Sequence, residues 1–195
     1  MIVLASASAT RARMLKEAGV SFEVTTSEVD EAPVKARLLA AGAGPREVAE
    51  HLAEAKALAI AAPPGALVIG ADQTLDLDGA LLDKATDLRA ARDRLKRLRG
   101  RTHRLHTAAA IARGGKVVWR TIASPTLAMR PFSDGFLDYY LACSDEAAVH
   151  SVGCYYLEGM GAQLFDKVEG DYFAVLGLPL IELLAALREH GAMAR

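Results

Sequence analysis

The chain has 195 residues, 52% of them hydrophobic and 24% charged, which suits one soluble domain or one domain with two lobes. Lys+Arg 23 against Asp+Glu 24 leaves a formal charge of -1, which argues against a general nucleic-acid binder, since such proteins carry a basic footprint. No stretch approaches the ~20 consecutive apolar residues that span a bilayer, which argues against a membrane protein.

Met1–Ala5 reads as a short apolar strand without the basic start of a signal peptide. Ser6–Ser8 ends it, and Ala9–Ala18 predicts a helix capped by Ser8 and stopped by Gly19. Phe22–Val24 reads as a second strand, and Leu38–Pro45, rich in alanine and glycine, as a flexible connection. Arg46–Ala62 carries Val48, Leu52, Ala55 and Ala59 at helical spacing and ends at Pro63-Pro64. Leu67–Leu77 predicts a buried strand, Asp78-Gly79 a hairpin turn, and Leu81–Asp83 the return. Leu88, Ala91, Leu95 and Leu98 line one face of the next helix, which Gly100 follows.

His103–Ala112 and Lys116–Pro125 predict a second hairpin about Gly114-Gly115, and Phe132–Leu141 predicts a helix. Ala162–Val168 and Tyr172–Leu176 read as strands around Glu169-Gly170-Asp171, and Pro179 opens a last helix running to about Glu189. Interleaved strands and helices give an α/β class in its mixed α+β form, and two hairpins require a sheet that is not purely parallel. The two cysteines, Cys143 and Cys154, have neither zinc-type nor redox-type spacing, so a reduced, cytoplasmic setting is the expectation.

Several stretches bear chemistry. In L-A-S-A-S-A-T-R (Leu4–Arg11) a strand enters a small-residue turn and then a helix whose free N–H groups favour an anion, with Arg11 in the first turn. An ordinary capped turn has the same appearance. V-D-E-A-P (Val29–Pro33) reads as a loop in which adjacent carboxylates either sit in water or share a hard cation. Lys56 lies four residues after Leu52, towards the apolar stripe of its helix, so it either snorkels to water or points into a cleft.

In V-I-G-A-D-Q-T-L (Val68–Leu75) a buried strand delivers the acid Asp72. A two-residue turn at Asp78-Gly79 sets Lys84 opposite Gln73, one residue from Asp72; regular alternation would point Lys84 and Asp72 to opposite faces, whereas a bulge or fraying at the strand ends would bring both to one edge. The basic cluster Arg89, Arg92, Arg94, Lys96, Arg97, Arg99 and Arg101 lies on a helix with a clean apolar face and reads as a solvated surface. Walker-type, dinucleotide and H-E-x-x-H motifs are absent.

These stretches, in this order, resemble the Maf nucleoside triphosphate pyrophosphatases over almost the whole chain. The pieces are L-A-S-A-S-A-T-R, V-D-E, H-L-A-E-A-K-A (His51–Ala57), V-I-G-A-D-Q-T, D-K-A (Asp83–Ala85), G-R-T-H-R-L-H-T (Gly100–Thr107) and G-D-Y-F-A-V-L-G-L-P-L (Gly170–Leu180). The resemblance implies one domain over residues 1–195, with a mixed, twisted sheet and flanking helices in two lobes around a deep nucleotide cleft, and a homodimer. It implies hydrolysis of a nucleoside triphosphate to the monophosphate and pyrophosphate, clearing non-standard nucleotides, with a divalent cation, Mg2+ or Mn2+. Asp72 would be the acid/base group, Glu31 and Asp72 would hold the metal, and Arg11, Lys56 and Lys84 would neutralise phosphate charge. Ser6, Ser8 and Thr10 would contact the substrate at the first helix.

Where the family has Pro-Arg, this chain has Ala9-Thr10. Gln73 and Glu158, in G-C-Y-Y-L-E-G-M-G (Gly153–Gly161), resemble the branch acting on 7-methyl-GTP rather than the dTTP/UTP branch, although Thr10 stands where that branch places an aromatic ring. A carboxylate, which only accepts hydrogen bonds, suits the donor-rich edge of guanine. The alternatives are a dTTP/UTP pyrophosphatase and, since Maf proteins are also associated with arrest of septum formation, a nucleotide-binding regulator of cell division.

Overall fold

The computed structural model describes residues 1–144 and 151–194. Its centre is one mixed sheet of eight strands in the order β2-β1-β3-β5-β7-β8, with β4 paired to β3 and β6 to β5. The strands are β1 (Ile2–Leu4), β2 (Glu23–Val24), β3 (Leu67–Leu77), β4 (Ala80–Leu82), β5 (Thr102–Arg113), β6 (Lys116–Ala123), β7 (Thr126–Met129) and β8 (Phe165–Glu169). β1 runs parallel to β2 and β3, and every other pairing is antiparallel. The mixed α/β class read from the sequence is therefore the architecture observed.

The two longest strands form the spine. β3 pairs with β5 from Val68↔Ala112 to Asp76↔Arg104, whereas its other edge is shared. β1 occupies that edge as far as Ile69, and β4 takes it up again only at Leu75. Residues 70–74 thus lie at a notch where, among the described residues, β3 has no strand partner on one side.

Helices cover both faces: α1 (Ala9–Glu17), α2 (Glu31–Ala40), α3 (Pro45–Leu58), α4 (Leu88–Leu98), α5 (Asp134–Cys143), α6 (Tyr172–Leu176) and α7 (Leu180–Glu189). Strand alternation sorts the core. Ile2, Leu4, Ile69, Ala71, Ala109 and Ile111 pack against residues of α1 and α7, while Val3, Ala5, Val68, Ala108, Ala110 and Ala112 face Ala49, Ala53 and Ala57 of α3. A separate core joins the far end of the spine to α4 and α5 through Leu75, Leu95, Leu98, Leu105, Leu137 and Tyr140.

Alanine on both sides lets α3 approach closely, and Gly70 sets the limit of that approach. A Cβ there would overlap the Ala53 carbonyl oxygen and come within 2.5 Å of the Ala57 nitrogen. The glycine two residues before Asp72 is thus what lets α3, and with it Lys56, sit against the strand.

Several elements differ from the sequence reading. Glu31 opens α2 instead of lying in a loop: Asp30 caps the helix by accepting from Ala32 N at 3.2 Å, and Pro33 is tolerated in the first turn. That helix runs to Ala40, so Leu38–Pro45 is a connection only in its second half. Tyr172–Leu176 is helical, because Asp171 caps the N–H groups of Phe173 and Ala174 and Gly177, at φ 111°, ends the turn. A short apolar run does not distinguish strand from helix by pattern alone. Residues Met160–Leu164 form a 3-10 turn before β8, and the strand expected to reach Pro125 stops at Ala123.

The basic cluster on α4 is only partly a solvated face. Arg92 pairs with Asp138, Arg99 and Lys96 with Asp134, and Arg101 with Asp78. Arg94 instead donates to the carbonyls of Asp83 and Val152, two residues that line a cleft.

Candidate active site

A cleft of about 390 Å³ opens at the notch in β3. Of the residues singled out in the sequence, Ser8, Thr10, Arg11, Glu31, Lys56, Asp72, Gln73, Lys84 and Glu158 line it, and Ser6 alone does not. Ser6 lies behind the wall, its hydroxyl accepting from Ser8 N at 3.2 Å and from Arg11 Nη1 at 3.3 Å.

Asp72 falls on the α3 face of β3, two residues past Gly70, and is 6% exposed. Its Oδ1 accepts from Lys56 Nζ at 2.6 Å, and the same ammonium lies 2.7 Å from Glu31 Oε1. Lys56 therefore points into the cleft, not out to water. Burial raises the Asp72 pKa above its ordinary value, against the charges of Lys56 and Arg11. Burial acts upward on Glu31 too, but the hydrogen bond and charge of Lys56, then Lys35, outweigh it and bring Glu31 down to about 2.

Arg11 supplies what the sheet lacks at the notch. Just past the end of β1, Ala5 N donates to Ile69 O at 2.8 Å, and Arg11 Nη1 donates to the next carbonyl along that edge, Ala71 O, at 2.9 Å. Arg11 Nε reaches Gly177 O at 2.7 Å, so the guanidinium joins α1, the spine and the end of α6. Burial lowers its pKa, opposed by Asp72 and Glu31, yet an arginine stays protonated. Ser8 caps α1 by accepting from Arg11 N at 3.3 Å, and Ser8, Thr10 and Arg11 bring the start of that helix to the cleft wall.

Gln73, on the opposite face, has another task. Its Nε2 donates to Thr107 Oγ1 at 2.8 Å, Ala174 O at 2.9 Å and Val175 O at 3.2 Å, tying the spine to α6. Lys84 lines the cleft but does not meet Asp72. β4 ends at Leu82, so the register that would carry Lys84 to Gln73 stops short. Among the described residues Lys84 makes no ion pair, which leaves its ammonium available to a ligand. Glu158 accepts from Arg13 Nη2 at 2.5 Å, across the cleft from α1.

The sequence reading missed Lys35, Arg13 and Thr107. Lys35 bridges Glu31 and Asp83 at 3.2 Å each, extending a line of alternating charge Asp72–Lys56–Glu31–Lys35–Asp83 along one wall. It stands four residues after Glu31, a signal visible only once α2 is known to be a helix. Glu31 and Asp72 converge on a single cation position, taken here by the Lys56 ammonium, and both offer the oxygen donors a hard divalent ion prefers. Among the described residues no third carboxylate, histidine or cysteine joins them, so a metal held there would take its remaining ligands from substrate and water.

A family profile described as Maf-like protein matches residues 1–190. The chain is 54% identical over 192 residues to a protein of Caulobacter vibrioides named nucleoside triphosphate pyrophosphatase, covering 98% of this chain and 96% of that one. It is 45% identical over 190 residues to a Brucella abortus protein named 7-methyl-GTP pyrophosphatase, covering 97% and 96%. A Rhizobium meliloti protein of the same name is 46% identical over 194 residues, covering 99% and 98%.

Proposed function

Because the chain belongs to the Maf family, we propose that it is a hydrolase that splits a nucleoside triphosphate into the monophosphate and pyrophosphate. The observation that carries this reading is the Lys56 ammonium held between Asp72 and Glu31 at the bottom of a cleft whose rim adds Lys84 and the start of α1. Attack on a phosphorus needs placement and positive charge more than covalent help, and this wall provides both.

In the proposed reaction, water attacks the α-phosphorus and Asp72 accepts its proton. A carboxylate whose pKa is raised by burial is a better proton acceptor than an exposed one. Lys56 keeps the Asp72 carboxylate oriented, and Lys84 balances charge on the departing pyrophosphate. Glu31 and Asp72 would hold Mg2+ or Mn2+, which when bound adds positive charge at the phosphate oxygens. The N-terminus of α1 binds a phosphate with Ser8 and Thr10 beside it.

The finer proposal is a guanine-type base, 7-methyl-GTP among the candidates. The Gln73 amide NH2 is committed to Thr107 and α6, so what it offers a ligand is its carbonyl oxygen. Glu158 accepts from Arg13 through Oε2 and keeps Oε1 for a second donor. Two acceptors among the residues that line the cleft suit the N1–H and amino edge of guanine better than the mixed edge of thymine or uracil.

The test is a panel of nucleoside triphosphates, including 7-methyl-GTP, dTTP and UTP, with Mg2+ or Mn2+ and direct pyrophosphate detection. Fastest turnover on guanine-type substrates is expected. Preference for dTTP or UTP would overturn the base assignment, and tight binding without pyrophosphate release would favour a nucleotide-binding regulator.

A further inference from the structure

Arg94 lies on α4 near Arg92 and Lys96, which pair with the surface acids Asp138 and Asp134, yet among the described residues it makes no ion pair. Its guanidinium spans two segments of the cleft wall: Nη2 donates to Asp83 O at 2.5 Å and Nη1 to Val152 O at 2.7 Å. Asp83 directly precedes Lys84, on the side given above to the phosphates. Val152 directly precedes Gly153, at the start of the stretch that leads to Glu158, on the side given to the base.

Both segments need holding. The 83–84 segment has left the β3–β4 ladder, which ends at Leu82. Lys35 grips the Asp83 side chain and Arg94 its carbonyl, so the backbone bearing Lys84 is fixed from two directions. In the other segment Cys154 adopts φ 59°, a left-handed conformation that is strained for a non-glycine residue and persists where its surroundings hold it. Those surroundings are Tyr140 Oη donating to Cys154 O at 3.2 Å, and the Tyr155 hydroxyl 2.6 Å from His103 Nε2. Arg94 fixes the carbonyl at the head of the same turn.

We infer that Arg94 is a positioning residue that couples the two ends of the cleft, so that the grip on the base and the grip on the phosphates both depend on one guanidinium. The inference rests on the proposed function, since it takes Lys84 as the phosphate end and the stretch to Glu158 as the base end. The planar fork is what the task requires, because a lysine ammonium placed at one carbonyl cannot hold the other with the same geometry.

The test measures binding of the two product probes, pyrophosphate and GMP, to the wild type, Arg94→Met and Arg94→Lys by titration calorimetry, with thermal melting alongside. Both probes should bind Arg94→Met at least about tenfold more weakly, the loss expected for hydrogen bonds from a charged donor. Arg94→Lys should recover part of the affinity for one probe and less for the other. A merely structural role would lower the melting temperature while leaving both affinities of the folded protein unchanged, and that result overturns the inference. Weakening of one probe alone overturns the coupling. If Arg94→Met does not fold, the same comparison on Arg94→Lys decides. Failure of the wild type to bind either probe would instead overturn the reading of the cleft, and this inference with it.

Discussion

The ammonium of Lys56 sits 2.6 Å from Oδ1 of Asp72, and both side chains are nearly withdrawn from water, at 11% and 8% exposure. They are sixteen residues apart, on α3 and β3, and meet because Gly70 lets the helix backbone rest on the strand. The same lysine reaches Glu31, so one ammonium stands where two acids from different elements converge.

Asp72→Asn keeps the shape of the side chain and removes the proton acceptor. Pyrophosphate release should fall by about 10²–10⁴-fold, the range for loss of a general base, while the melting temperature stays near that of the wild type. Pyrophosphate release at the wild-type rate would show that another group takes the proton.

Lys56→Met leaves Asp72 buried without its ammonium. Burial already holds the Asp72 pKa above 3.8, and Lys56 is the largest influence opposing it. The acidic limb of the pH profile of kcat/KM should therefore move to higher pH in this variant, together with a fall in kcat. An unmoved limb would detach that limb from Asp72.

Glu31 titrates at about 2 in the folded chain against 4.5 in its ordinary state. A depressed carboxylate contributes stability that is present above about pH 4.5 and lost as pH falls towards 2. Glu31→Gln should flatten the loss of stability across that window, measured by urea unfolding at stepped pH. Side-chain exposure of 39% keeps the contribution modest.

His103 acts in the same direction over a higher range of pH. Burial lowers its pKa from 6.5 to about 4, so the unfolded chain binds the proton more readily between those values. Stability should fall as pH drops from about 6.5 to about 4, by up to roughly 3 kcal/mol for a shift of this size. His103→Gln should remove that slope when unfolding is followed over the same range.

Gly70→Ala should displace α3 from the strand, costing roughly 1–3 kcal/mol as overpacking does, and draw Lys56 away from Asp72. Activity should drop more than the change in melting temperature implies. A variant with normal stability and normal turnover would show that α3 can yield without moving its lysine.

The sequence alone determined much of this. Apolar periodicity, Ser8 as a cap and the Asp78-Gly79 turn define α1, α3, α4 and the two hairpins, because those signals are local: they depend on spacing along a single segment. The order of short stretches pointed to the cleft residues, and all but Ser6 line it. Two readings failed where a cap outweighed a pattern: Asp30 turned an expected loop into α2, and Asp171 turned an expected strand into α6.

Only the tertiary structure decided which charges meet. Lys84, near Asp72 by hairpin register, stays apart from it because β4 ends early, while Lys56, from a distant helix, makes the contact. The Arg13–Glu158 pair and the two carbonyls under Arg94 join segments 145 and 58 residues apart or more locally placed ones whose backbone has left the sheet. Hydrogen bonds and ion pairs act over a few ångströms of space, and no periodicity along the chain encodes which distant segments packing will bring that close.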